Sequence, residues 1–312
     1  MSEKKFSVIT PSLNQGAFIG KAIQSVLDQN YPDFEHWVID GGSTDGTLEA
    51  LKKYPHLKWV SEPDRGKAEA LNKGFRKAAG EVIAWISADD YYEADAFNKV
   101  KDLFVSNPDC QVVVGGAAVV DEKGRFLFMH EAPGTRGLTH EGIIRFWKYG
   151  SLPQPSIFFR RRVFETVGFL DERIPSYMDY DFFLRLSRAC KFWRSDTVFS
   201  NIRYHRGSET IRDIAAGRLD RLLFKISRRY WGRPSHGRYW ARALSYALHF
   251  PKNSWRRYCD RFALECRSDL ERIYSTKPFG RFLREARPMI WKYPLPFCLA
   301  SAKTIFRRAF QR

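Results

Sequence analysis

Over the first hundred residues, short apolar runs rich in β-branched and aromatic side chains alternate with stretches of helical period. Runs at 6–10, 34–39, 57–60, 81–86 and 111–115 predict strands, because each is short, largely apolar and bounded by Gly, Pro, Asp or Ser. Between them, apolar positions recur three and four residues apart over 17–29, 47–54, 66–79 and 94–106, which predicts crossover helices. That rhythm belongs to an α/β domain whose sheet carries parallel strands. The polar loops beginning at Pro11, Asp40, Ser61 and Ser87 follow strands and gather on one edge of the sheet, where open α/β sheets bind ligands.

From 116 to 200 the pattern is mixed, with a hairpin expected around Asp121-Glu122-Lys123-Gly124, a helix over 139–148, a strand over Ser156 to Phe159 and a helix from Asp179 to Cys190. Beyond 210 only helical patterns remain, with Leu219, Leu222, Leu223 and Ile226 on one face and Arg218, Arg221, Lys225, Arg228 and Arg229 on others. A boundary near Glu209 therefore separates an α/β domain, residues 1–208, from a helical, aromatic-rich region, residues 209–312.

Charge sharpens that division. The chain carries a net +17, and since residues 1–205 are balanced, the whole excess falls on the final third. There, Tyr230-Trp231, Tyr239-Trp240, Trp255-Arg256-Arg257-Tyr258, Trp291-Lys292-Tyr293 and Phe306-Arg307-Arg308 interleave rings with cations. Such a surface suits an anionic membrane interface, or a helical subdomain with core aromatics and a solvated basic face. A nucleic-acid-binding tail is the remaining class, but no recognised motif accompanies it and it leaves the acidic strand ends unexplained. With 312 residues, 44% of them hydrophobic, the chain can bury a full core. Cys110, Cys190, Cys259, Cys266 and Cys298 lack metal or redox spacing, the N-terminus does not read as a signal peptide, and no run of about 18 apolar residues spans a bilayer. The expected setting is cytoplasmic, peripheral at the inner face of the membrane.

Five segments carry chemistry. Val8 to Asn14 runs a strand through Thr10-Pro11-Ser12 into a polar turn. In Val38-Ile39-Asp40-Gly41-Gly42-Ser43-Thr44-Asp45-Gly46-Thr47 a strand-end carboxylate meets a Gly-rich loop, where Asp40 suits ligand contact and Asp45 a helix cap. Asp64 and Lys67 flank a helix start that favours anions such as a diphosphate, although capping alone also accounts for Asp64. Trp85-Ile86-Ser87-Ala88-Asp89-Asp90 ends a strand in two acids, suited to a divalent cation shared with phosphates or equally to capping a helix near 93. Asp179-Tyr180-Asp181 opens a helix, and Arg203-Tyr204-His205-Arg206 follows downstream.

In that order, over residues 6–206, these segments together with Gly66 to Gly74 and Gly168-Phe169-Leu170-Asp171-Glu172 strongly resemble the family 2 glycosyltransferases. The resemblance implies the GT-A fold, a Rossmann-like mixed sheet with flanking helices, followed by the basic all-helical extension. It implies metal-dependent, inverting transfer of a sugar from a nucleoside-diphosphate sugar, most often a UDP-sugar, to a lipid-linked or saccharide acceptor. Thr10, Pro11, Ser12 and Asp40 would cradle the nucleoside, with Asp64, Lys67, Ser87 and Ala88 completing the donor site. Asp89 and His205 would hold Mn²⁺ or Mg²⁺, Asp90 and Gln154 would face sugar and acceptor, and Asp179 would be the general base. The family's Asp-x-Asp stands here as Ser87-Ala88-Asp89, Met178 replaces a common Glu, and Leu71 a frequent Arg. The missing first acid leaves a catalytically inactive GT-A scaffold as the alternative.

Overall fold

The computed structural model describes residues 5–216, 218–233 and 235–246. The chain divides into two compact units, one of residues 1–208 and 221–242, the other of residues 209–220 and 243–312. The first opens with β1 (Phe6–Ser12), α1 (Ile19–Leu27), β2 (Phe34–Asp40), α2 (Thr47–Leu51), β3 (Lys58–Ser61), α3 (Lys67–Lys77) and β4 (Val82–Trp85). β3, β2, β1 and β4 lie side by side and parallel, as the alternation of apolar runs and helical periods predicts. β1 and β4 are buried along their whole lengths, which is why they read as continuous apolar runs rather than alternating ones.

Then follow β5 (Tyr91–Tyr92), α4 (Ala96–Ser106), β6 (Val112–Asp121), β7 (Phe126–His130), α5 (His140–Ile144), α6 (Phe146–Tyr149), a 3₁₀ turn (Gln154–Ser156), β8 (Ile157–Arg160), α7 (Val163–Val167), α8 (Met178–Ala189) and β9 (Phe192–Tyr204). β8 lies antiparallel between β4 and β6, β9 runs parallel to β6, β5 caps the far edge, and β7 makes the expected hairpin with β6. The sheet is thus mixed. β9 has no counterpart in the sequence reading, because Arg194, Ser195, Asp196, Asn201 and Arg203 break up its apolar pattern. Its long pairing with β6, from Val112↔Phe192 to Asp121↔Tyr204, supplies the backbone partners that hold it extended.

On one face Phe6, Val8, Val82 and Ala84 pack with Phe97, Val100 and Phe104 of α4, each such ring worth about 2–3 kcal/mol on full burial. On the other, α3 lies so close that a Cβ on Gly74 would sit 2.3 Å from Ile9 Cγ2. Two further helices follow, α9 (Glu209–Ala215) and α10 (Leu219–Arg228), and helical residues at 237–246 end the described chain. In the first unit, Leu223, Ile226 and Ser227 of α10 and the following Trp231 are buried, with the Trp231 ring 5.7 Å from Trp147. Of the rings expected either at a membrane interface or in a helical core, Trp231 is buried and Tyr230 half-buried, whereas Trp240 is 63% exposed. The segments at 255–258, 291–293 and 306–308 lie outside the described residues. Among the described residues no helix is long and apolar enough to cross a membrane.

Candidate active site

The loops after β1 and β2 are tied together before any ligand enters. Asn14, in the left-handed region at φ 53°, donates its N–H to Ser43 Oγ at 2.7 Å and accepts Thr44 N–H on its Oδ1 at 2.9 Å. Gln15 N–H donates to Thr47 Oγ1 at 3.0 Å and Gly16 N–H to Asp45 Oδ2 at 2.9 Å. A side chain on Gly16 would meet the Gly46 carbonyl carbon and Thr47 nitrogen at 2.9 Å, so only glycine lets the two loops approach. Asp45 also accepts the N–H and hydroxyl of Thr47 at the start of α2, but from the position before the N-cap, which is Gly46 and receives no side-chain cap.

Asp40 lies beneath this junction, fully buried. Its Oδ2 accepts Gly42 N–H at 3.1 Å, Ser43 N–H at 2.8 Å and Ser61 Oγ–H at 2.7 Å, while its Oδ1 accepts Ser43 Oγ–H at 2.5 Å. Four protein donors on one carboxylate make it the organiser of the Gly41–Ser43 turn. Thr10 is likewise buried, its Oγ1 2.9 Å from His36 Nε2 on β2. Burial pushes His36 down to about 3, with the nearby His56 adding to the effect, so the imidazole is neutral. Ser12 Oγ, at the end of β1, is buried with no hydrogen-bond partner.

At the end of β4 the arrangement is different. Asp89 Oδ2 lies 3.0 Å from His205 Nε2, which follows β9, so two residues far apart in sequence meet beyond the sheet edge. The His205 ring packs on Phe18 at 4.6 Å, and Gly207 leaves room for it. Burial works to raise the Asp89 pKa, but the hydrogen bond from His205 and then the Lys67 charge hold it below the ordinary aspartate value. Its neighbour Asp90 is pushed well above that value, first by burial and then by the Asp89 charge, although it accepts Arg203 N–H at 2.9 Å. The two neighbouring acids are thus shifted in opposite directions.

Lys67, at the start of α3, donates to Ser87 Oγ at 2.8 Å and so reaches across from the β3–α3 loop to the same edge. Asp64 accepts Gly66 N–H at 2.8 Å and shapes the turn into α3, and its carboxylate approaches Gly41 closely enough that a Cβ there would lie 2.7 Å from Oδ2. Gln154 donates from Nε2 to the Trp85 carbonyl at 2.9 Å, which fixes it at the end of β4. The Trp85 ring lies 6.3 and 6.2 Å from those of Phe182 and Phe183, which sets that part of α8 beside the end of β4, with Asp179 about one turn earlier in the same helix. Ala88 is buried between Ser87 and Asp89.

Thr10, Ser12 and Asp40 form the floor and Lys67, Ser87, Asp89, Asp90, Gln154 and His205 the β4 side, while Asp179 stands on α8. Arg203 was not singled out in the sequence. It donates from Nε to the Asp89 carbonyl at 2.9 Å and from Nη1 to the Glu122 carbonyl at 2.7 Å, with its guanidinium over the Phe18 and Tyr91 rings. Its proximity to His205 in the chain was the available signal. Among the described residues no three His, Cys, Asp or Glu side chains cluster as a metal site. Asp89 and His205 make a pair of one carboxylate oxygen and one imidazole nitrogen, 3.0 Å apart.

Known proteins identify the family and the fold. The glycosyl transferase family 2 pattern matches residues 7–168, just over half of the chain. An uncharacterized glycosyltransferase of Rickettsia bellii is 29% identical over 66% of this chain, and the matched stretch spans only 31% of that protein's length. The chondroitin synthase of Pasteurella multocida is 27% identical over 67% of this chain and 21% of its own. Among solved structures, S. aureus TarS 1–349 in complex with UDP-GlcNAc superposes with a TM-score of 0.53 at 21% identity, covering 66% of this chain and 60% of that one. The mannosyltransferase PcManGT from Pyrobaculum calidifontis, in complex with GDP-Man and Mn²⁺, does so with a TM-score of 0.56 at 18% identity, covering 97% and 84%. The mixed sheet with flanking helices is the GT-A architecture of these structures.

Proposed function

The chain belongs to glycosyl transferase family 2, and from that premise we propose that it transfers a sugar from a nucleoside-diphosphate sugar to an acceptor hydroxyl, with inversion, in the synthesis of a surface polysaccharide or glycolipid. The observation that carries this reading is the meeting of Asp89, His205, Lys67 and Ser87, drawn from three separate parts of the chain, at one strand end. The structural relatives bound to UDP-GlcNAc and to GDP-Man support a nucleotide sugar as donor.

Thr10, Pro11, Ser12 and Asp40 form the nucleoside cradle, with Asp40 acting through the turn it folds rather than as an open acceptor. Lys67 places a cation, and the amides at the start of α3 a partial positive charge, where a diphosphate would sit. Asp89 and His205 would hold Mn²⁺ or Mg²⁺, which when bound supplies Lewis-acid stabilisation of the departing diphosphate. Asp90, whose pKa is raised by burial and by the neighbouring Asp89 charge, faces the sugar, and Gln154 borders the same space. Asp179 takes the proton from the attacking hydroxyl on the opposite side of the sugar, so that attack and departure occur on opposite faces.

Thermal shift with UDP, GDP and dTDP, each with Mn²⁺ and with chelator, tests the donor: one nucleotide should stabilise the protein, more with Mn²⁺, and none doing so overturns the reading. Asp179→Asn should slow nucleoside diphosphate release from the donor sugar by about 10²–10⁴ while keeping the nucleotide-induced shift. Turnover near the wild-type rate would remove Asp179 as the base.

We place the reaction at an anionic membrane surface facing the cytoplasm, with a lipid-linked or saccharide acceptor. Support comes from α10, where Arg221, Lys225 and Arg228 are exposed, as is the following Arg229, while Leu223 and Ile226 are buried. Flotation with phosphatidylglycerol liposomes at low salt, lost at high salt, is the expected result, and no flotation at either salt defeats it.

A further inference from the structure

The turn that carries Asp179 is held under strain, and a residue from beyond the sheet helps to hold it. Tyr177, immediately before α8, has φ 59°. A bulky residue in that region costs on the order of 1–3 kcal/mol and persists only where its surroundings over-determine it. The first turn of α8 is gripped from two sides. Tyr180 donates its hydroxyl to the carbonyls of Ile143 at 2.9 Å and Ile144 at 3.2 Å. Asp181, only 4% exposed, accepts Arg185 Nε–H on Oδ2 at 3.0 Å, and Arg185 in turn donates to the carbonyls of Val167 and Phe169.

The other oxygen of Asp181 is met from α10's end: Tyr230 donates its hydroxyl to Oδ1 at 2.8 Å. Tyr230 is itself anchored. Arg242 donates to the carbonyls of Tyr230 at 3.1 Å and Trp231 at 2.7 Å, Trp231 Nε1–H reaches Ser227 Oγ at 2.9 Å, and Ser227 donates to the Ile144 carbonyl at 2.9 Å. Residues two apart on a helix point to different faces, so Asp181 does not present its carboxylate where Asp179 does. The clamp acts on Asp179 through the backbone of the turn they share.

Resting on the reading of Asp179 as base, we propose that Tyr230 is a positioning residue for glycosyl transfer, holding Asp181 and thereby the strained turn that aims Asp179 at the acceptor hydroxyl. The catalytic geometry then depends on a residue of the 221–242 segment that touches neither donor nor the sheet edge.

Tyr230→Phe removes the hydroxyl and keeps the ring. Hydrogen exchange of peptides covering 174–183 should rise several-fold in this variant while peptides from β1 to β4 are unchanged; no change over 174–183, or a rise throughout, overturns the clamp. With UDP-GlcNAc and GDP-Man as donor probes in Mn²⁺, kcat for nucleoside diphosphate release should fall about 10- to 100-fold with KM for the donor held within about twofold. Equal losses in kcat and donor affinity, or wild-type kcat, overturn the positioning role. Asp181→Asn should resemble Tyr230→Phe, and the double variant should be no slower than the worse single one; multiplied effects would show two independent roles. Asp179→Asn separates the two readings: if it retains turnover the base assignment fails, whereas an inactive Asp179→Asn beside a fully active Tyr230→Phe defeats only the positioning role.

Discussion

Asp40 and Asp89 occupy the same kind of place, the carboxyl end or exit of a parallel strand, yet the protein uses them in opposite ways. Asp40 is fully buried and receives four donors from its own loop and from Ser61. Asp89 is partly exposed and meets His205 from a distant part of the chain, with the Lys67 charge nearby. A strand-end acid saturated by nearby backbone N–H groups builds a loop; one paired with a distant titratable side chain at a crevice remains open to exchange that partner for a ligand. Position in the sheet locates the site, but the donor count decides which acids serve it.

The difference is most sharply broken by alanine at each acid. Asp89→Ala should leave the melting temperature close to wild type but weaken Mn²⁺-supported nucleotide binding by about 10²-fold or more, read by titration calorimetry. Metal-supported binding unchanged in that variant would place the cation elsewhere. Asp40→Ala should do the reverse, costing about 3 kcal/mol of stability in denaturant unfolding because the Gly42 and Ser43 N–H groups lose their acceptor in a buried turn. Full stability with nucleotide binding lost would instead make Asp40 a direct ligand.

A smaller effect separates the β2 side by acid. His36 titrates near 6.5 when unfolded and is held at about 3 in the fold, so between those values the unfolded chain binds the extra proton and stability falls as pH falls. Between pH 6.5 and 4.5 this amounts to about 2–3 kcal/mol. Glu35 on the same strand, held at about 2 because hydrogen bonds from Ser7, Lys58 and Ala79 outweigh its burial, adds its own loss only below about 4.5. Urea unfolding of wild type and His36→Asn across that window should give a flatter pH dependence in the variant; parallel curves would show that His36 is not the group responsible. The smallest effect sharpens the β4 side. Ser87→Asp should lower the Mn²⁺ concentration for half-maximal nucleotide stabilisation by about tenfold, since added ligand charge tightens a hard-cation site. A weaker response would mean that Lys67, now 2.8 Å from Ser87 Oγ, takes the new carboxylate for itself.

Much of the fold was legible because central parallel strands are buried on both faces, so β1, β2 and β4 announce themselves as apolar runs ended by polar turns. β9 was not, since its pairing with β6 is long range and its polar residues satisfy neighbours that only the folded sheet brings near, as Asn201 does with Glu93 at 2.7 Å and Arg203 with Asp90. Asp40, Asp89 and Asp179 stand out in the chain as acids at a strand or helix end, and the family resemblance already set His205 beside Asp89. The donors that saturate Asp40, and the bond from Arg203 to the Asp89 carbonyl, could not be read there.

By itself the sequence determined the alternation of strands and helices, the edge on which the loops gather, the family, and the concentration of positive charge beyond residue 205. Those are properties of local pattern and order, which survive without knowing any contact. Tertiary structure alone decided that Asp40 turns inward, that Arg203 reaches the Asp89 carbonyl, and that Tyr230 reaches Asp181 from a segment whose composition suggested a membrane interface. Each depends on a hydrogen bond whose partner is chosen by how the chain packs, and no spacing along a sequence encodes which buried carboxylate a distant donor will find.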